Sequence, residues 1–292
     1  MTAAVEVSRK PRFAWSEVAW FGALAIACYA PVLLALVRQW NSDPDMSHGF
    51  FVPLVAGYLV WTRRDELLAM TPEPNWWGLA VVAYGACQLW IGTLAVELFL
   101  TRTAFVITLI GTVWLMCGTR ILRALAFPLF LCFFMIPIPS VIYNSITFRL
   151  QLVASGLAER ALDLLAVPVL REGNVLVLPN QSLSVVEACS GIRSLLSLTF
   201  LSLVYGYFFE TRRSIRIVLF LATVPIAIVA NASRVTLTGV MTQVKPELAE
   251  GAFHSASGWV IFMVALSILI LFHQALVRSW RYLESRRGRA LS

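Results

Sequence analysis

The sequence predicts an all-α polytopic membrane protein of about eight transmembrane helices, with a small extracytoplasmic amphipathic helix and β-hairpin ahead of Cys189. Three observations predict it. Only 13% of the 292 residues are charged while 59% are hydrophobic, and mean hydropathy is +0.77; a soluble domain carries about 25% charged residues. Apolar runs of roughly 18 to 25 residues recur, each long enough to cross about 30 Å of hydrocarbon as a helix that satisfies its own backbone hydrogen bonds. Lys and Arg gather in alternate short loops between those runs.

The runs fall at about 16–37, 48–62, 76–96, 103–118, 124–142, 190–209, 217–235 and 256–276. Residues 1–15 are charged and lead into the first run without a small-residue cleavage site, so that run reads as an anchor. Arg9, Lys10, Arg12, Arg63, Arg64, Arg120, Arg123, Arg212, Arg213, Arg216, Arg278, Arg281, Arg286, Arg287 and Arg289 all fall on one side of the resulting map. The positive-inside rule then makes both termini cytoplasmic and residues 143–188 extracytoplasmic. The expected organisation is 1–142, about five spans; 143–188, an outer segment; 189–277, about three spans; and 278–292, a basic cytoplasmic tail.

The outer segment changes period. Phe148, Leu150, Leu152, Val153, Leu157, Ala161, Leu164 and Leu165 recur near helical spacing, with Arg149, Gln151, Glu159, Arg160 and Asp163 between them, as in an interfacial amphipathic helix. After Pro168, the runs 175–178 and 183–186 flank the turn signal Pro179-Asn180-Gln181 and read as a hairpin leading to Cys189.

Three polar features fall at the outer ends of different spans: Cys189 in Glu-Ala-Cys-Ser-Gly-Ile-Arg-Ser, Arg234 in Asn-Ala-Ser-Arg, and His254 in Phe-His-Ser-Ala-Ser-Gly-Trp. Acyl transfer asks for such a set: a thiolate nucleophile, an acid or base for the leaving amine and a donor for the oxyanion. A helix N-terminus favours a thiolate, and Arg193 lies four residues beyond Cys189 on the same helical face, with Glu187 and Ser190 beside it. Each residue alone has a plainer reading: a lone cysteine as apolar filler, a snorkelling interfacial arginine, an interfacial histidine whose near-neutral titration also suits acid–base work. The other cysteines (Cys28, Cys87, Cys117, Cys132) lie within spans and form no CxxC pair, which argues against a disulfide framework or a metal knuckle.

Taken together, Cys-Ser-Gly-Ile-Arg-Ser-Leu, then Asn231-x-x-Arg234 in the next span, then His254-x-x-x-Gly-Trp resemble, in order and spacing, the three motifs of exosortases and archaeosortases. Asp45-Met46-Ser47-His48-Gly49-Phe50 looks like the Ser-His-Gly element that those proteins carry after the first span. The resemblance implies a cysteine peptidase or transpeptidase of the bacterial inner membrane, with its active site facing the periplasm. Its substrates would be membrane-inserted proteins bearing a C-terminal sorting signal of the PEP-CTERM type, passed to water or to an unknown acceptor. The family's nucleophile maps to Cys189, its arginine to Arg234 and its histidine to His254; Arg193, Glu187, Asn231 and His48 are supporting or substrate-binding candidates. His48 has a plainer reading as a polar residue at a helix entry.

Two rival readings belong to other classes. One is a membrane transporter using Arg234 and His254 as pathway charges, and the other is a noncatalytic scaffold for exopolysaccharide assembly; both make Cys189 dispensable. A transporter is expected to repeat broken helices in two halves, and the sequence shows no such symmetry. No metal cage, cofactor loop or nucleic-acid surface is expected, because the net charge of +7 arises in the loops on the cytoplasmic side of the bilayer.

Overall fold

The computed structural model describes residues 15–179, 181–185, 191–244 and 251–290. The chain divides into two compact units, Met1–Ile138 and Pro139–Ser292. Among the described residues four helices are long and apolar enough to cross a membrane, and up to six spans result if each of two broken helix pairs counts as one. This makes a helical, multi-pass membrane protein with fewer full-length spans than the eight expected. The shortfall has local causes: prolines break two spans, and two further apolar segments fold as helices too short to qualify.

In the N-terminal unit, α1 (Trp15–Cys28) and α2 (Ala30–Ser42) are bent apart by 68°, and Pro31 opens the second helix. Proline is favoured in the first turn because the N–H it lacks has no helical partner there. Tyr29, at the bend, places its hydroxyl 2.7 Å from Thr108 Oγ1. The expected second span instead begins as a 3-10 turn, Pro44–Phe50, capped by the Asp43 carboxylate accepting from Asp45 N at 2.9 Å, before α3 (Phe51–Thr62) and the short α4 (Arg64–Ala69).

α5 (Trp77–Leu94) and α6 (Leu98–Ala124) form the tightest pair in this unit. Gly78, Gly85 and Gly92 recur every seventh residue on α5, and a Cβ at any of them would run into α6, at Leu115, Thr108 and Thr101 respectively. In lipid, where apolar surface gains little from leaving its surroundings, such close backbone approach is what holds helices together. α6 breaks at Gly118, whose φ of 83° suits glycine alone and whose bare Cα lies against the Glu73 carbonyl. α7 (Ala126–Leu131) and a 3-10 turn, Cys132–Met135, complete the unit.

The fifth span was expected to run through 142. It stops early, because residues preceding Pro137 and Pro139 are pushed out of the helical region. A single 25-residue helix, α8 (Ser140–Leu164), follows in the C-terminal unit and takes in the segment expected to be a separate amphipathic helix. After it, β1 (Leu170–Glu172), β2 (Val175–Val177) and β3 (Ser182–Ser184) pair antiparallel in that order. Leu176 faces Leu183 across β2 and β3, while β1 was not anticipated. Three helices close the unit: α9 (Gly191–Phe209), α10 (Arg213–Val244) and α11 (Gly251–Ala290), the last carrying the expected basic tail as helix. Leu198, Leu219, Ala227, Ala265 and Leu269 form their common core.

Candidate functional site

The site is built where α9, α10 and α11 meet. Asn231 and Arg234 stand three residues apart on α10, hence on one face, and Asn231 is buried. The Arg234 guanidinium lies against α11 at Gly258: a Cβ placed there would sit 3.1 Å from both Cζ and Nη2 and 3.4 Å from Nη1. Ser194 of α9, Asn231, Arg234 and Gly258 line a cavity of about 10 Å³ walled by Leu198 and Phe262, close to the least volume that holds one water. A larger groove of about 490 Å³ between α8 and α10 is lined by Leu157, Ala161, Ser233 and Thr236 among others, with no titratable group; its Ser233 and Thr236 hydroxyls donate back to Val229 and Ala232 carbonyls.

The sheet is tied to the same region. Leu176, Leu178, Leu183 and Val185 pack with Ala158 and Leu162 of α8 and with Val235, the neighbour of Arg234. Gln151 of α8 accepts a 3.1 Å hydrogen bond from Asn174 Nδ2 in the β1–β2 turn, and Ser155 Oγ donates to the Gly173 carbonyl at 3.0 Å, locking sheet to helix.

Of the expected site residues, the structure brings Arg234 and Asn231 to one cavity. Arg193 lies in the first turns of α9, next to Ser194. Cys189 and Glu187 fall in 186–190, outside the described residues. His254 occupies α11, one turn before Gly258, with its side chain outside the described set. His48 belongs to the N-terminal unit, where its Nε2 lies 3.2 Å from the Phe134 carbonyl. Beside it, Trp40 Nε1 donates to the Met135 carbonyl at 2.9 Å, and Gly49 makes room for the Trp40 ring. The Ser-His-Gly element therefore fastens the two 3-10 turns of its own unit together.

One polar cluster was missed from sequence. Tyr205 Oη lies 3.0 Å from His273 Nδ1, and His273 Nε2 lies 3.3 Å from Glu210 Oε2. Glu210 Oε1 accepts from the N–H groups of Thr211 and Arg212, and its carbonyl accepts from Arg216 Nε at 2.6 Å. Burial alone would raise the Glu210 carboxyl, but the Arg212 N–H, His273 and the Thr211 N–H outweigh it and hold it below the ordinary carboxylate range. The signal available in the sequence was a glutamate and a histidine at the ends of apolar spans, each costly unless paired. Among the described residues no group of three His, Cys, Asp or Glu side chains is placed to hold a metal.

A helical multi-pass chain whose arginine is set into a three-helix junction defines a membrane protein with an embedded polar site. A family model described as transmembrane exosortase matches residues 40–271, and the chain belongs to that family. No curated protein and no solved structure matches it.

Proposed function

We propose that the protein is a membrane cysteine peptidase or transpeptidase that cleaves C-terminal sorting signals, of the PEP-CTERM type, from exported proteins. The reading rests chiefly on one observation: Arg234, Asn231 and Ser194 share a cavity beside Gly258, one turn along α11 from His254. The described residues on either side of 186–190 support the reading. Val185 packs with Val235 and Ser194 lines the cavity, and Cys189 lies four residues past Val185, a reach of at most about 14 Å.

In the proposed reaction the Cys189 thiolate adds to the scissile carbonyl carbon, and Arg234 stabilises the negative charge that develops on the carbonyl oxygen. The C–N bond then breaks as His254 passes a proton to the leaving amine, giving a thioester. Water releases a cleaved protein, whereas an acceptor amine or hydroxyl takes the acyl group and completes a transpeptidation. Arg193 and Glu187 flank the nucleophile and Asn231 supports Arg234, while His48 acts through the fold of the N-terminal unit. Both termini are assigned to the cytoplasm and the site to the periplasmic face of the inner membrane. Eight crossings then require α3 and the 17-residue apolar stretch Arg193–Phe209 to cross alongside the longer helices.

Co-expression with a membrane protein carrying a C-terminal sorting signal tests the reading. Mass spectrometry of the substrate should show a new C-terminus, either free or joined to an acceptor. An unprocessed substrate across a panel of such signals would count against it.

A further inference from the structure

Glycine inside a helix costs about 1 kcal/mol relative to alanine, so Gly258 in the body of α11 calls for a reason. Backbone conformation is not the reason: among the described glycines only Gly118 and Gly173 have positive φ. Neighbouring helices show the contrast. Gly206 of α9 has only ordinary contacts, at 3.6 Å and beyond, and Gly239 of α10 faces the flexible end of Leu162. Gly258 faces a guanidinium. A Cβ there would stand at nearly equal distances, 3.1 to 3.4 Å, from three of its atoms. A planar group whose central carbon is as near as its nitrogens presents its face to the Cα, and optimal carbon contacts begin at about 3.5 Å.

We propose that Gly258 is a positioning residue for Arg234: its missing side chain exposes a patch of α11 backbone on which the guanidinium lies flat, which fixes the fork at the cavity shared with Ser194 and Asn231. The proposal rests on the reading of Arg234 as the group that stabilises negative charge in the reaction. Arginine's value there lies in its planar fork of donors, and a fork is useful only when its plane is set. An alanine at 258 pushes that plane away by a few tenths of an ångström. Misplacement matters even at a fraction of the roughly 1 Å shift that can cost about 100-fold in rate.

The test is a double-mutant cycle on the full-length protein, read first by thermal unfolding in detergent. Gly258→Ala should lower Tm in the wild-type background and raise it in an Arg234→Ala background, where the guanidinium is gone and alanine's better helix propensity is all that remains. Arg234→Gln, whose amide stops short of Gly258, replaces Arg234→Ala if the latter does not accumulate. The second readout is processing of a sorting-signal substrate, where Gly258→Ala should lower kcat several-fold, up to about tenfold, and leave KM nearly unchanged.

The same sign of Tm shift in both backgrounds overturns the proposal. A reversed sign with undiminished processing overturns it too, since the contact is then structural only. In that case Arg234→Gln separates the two ideas: if it is inactive, the proposed function stands and only the role of Gly258 falls, and if it is active, the proposed function falls as well.

Discussion

Two polar clusters among the described residues of the C-terminal unit differ in what surrounds their charged group. Around Glu210 the polar groups close on one another: tyrosine to histidine, histidine to carboxylate, carboxylate to two backbone N–H groups, and the Glu210 carbonyl to Arg216. Nearby, Arg212 pairs with Glu284 at 3.1 Å, and Trp280 Nε1 donates to the same carboxylate. Around Arg234 the polar residues Ser194 and Asn231 line a small cavity with it, and the guanidinium lies against the bare Cα of Gly258. A network that satisfies its own members rigidifies a fold. The cavity beside Arg234 is where the proposed reaction puts its oxyanion, so the two clusters should answer differently to substitution.

Substitutions can break that comparison. The largest effect is expected at the proposed nucleophile, where Cys189→Ala should abolish processing while joint replacement of Cys28, Cys87, Cys117 and Cys132 by alanine or serine leaves it measurable; cleavage by the single mutant sinks the mechanism. Next, Arg234→Lys keeps a charge but loses the fork, and losing an oxyanion donor typically costs about 100-fold to 1,000-fold. Processing at the wild-type rate would reduce Arg234 to a diffuse charge.

At the closed cluster the effect should fall on stability alone. Glu210→Ala removes the acceptor from two N–H groups and from buried His273, a loss on the order of 1–3 kcal/mol. It should appear as a lowered Tm, with the thiol reactivity of Cys189 unchanged. A fall in that reactivity without a change in Tm would show that the two clusters communicate. The smallest effect is in pH. The Glu210 carboxyl is held below its ordinary range, so its contribution is fully present above the unfolded value near 4.3 and fades only as pH falls through the lowered folded value. Thermal melts of wild type and Glu210→Gln should therefore differ above about pH 5 and converge in stronger acid. A gap that persists unchanged into strong acid contradicts this account of the cluster.

Much of the membrane character was legible from the sequence because hydropathy and arginine bias act over whole segments. The α5–α6 pair fell where apolar runs were expected, though the glycine repeat that joins the helices went unread, since a seven-residue spacing of small residues means little until a partner helix is known. Pro137 and Pro139 were visible, yet the expected span ran through them because their cost competes with continuous hydrophobicity. At the site, Arg234 and Gly258 both stood inside quoted motifs, but the contact between them is a relation between two helices. Ser47-His48-Gly49 was legible as a motif and not as a clasp, because the carbonyl that His48 meets, that of Phe134, lies 86 residues away. Glu210 and His273 are likewise 63 residues apart and share no local pattern.

The central claim is that Cys189 works beside Arg234 at the outer face, and thiol labelling tests it most directly. A membrane-impermeant thiol reagent applied to intact spheroplasts should modify Cys189 rapidly near neutral pH and leave the four cysteines of the N-terminal unit largely unmodified. Arg234→Gln should slow that labelling and move its pH profile upward, since removing a nearby positive charge disfavours the thiolate. Labelling that requires permeabilised membranes contradicts the assigned sidedness, and rapid outside labelling that ignores Arg234→Gln contradicts the pairing on which the proposed reaction depends.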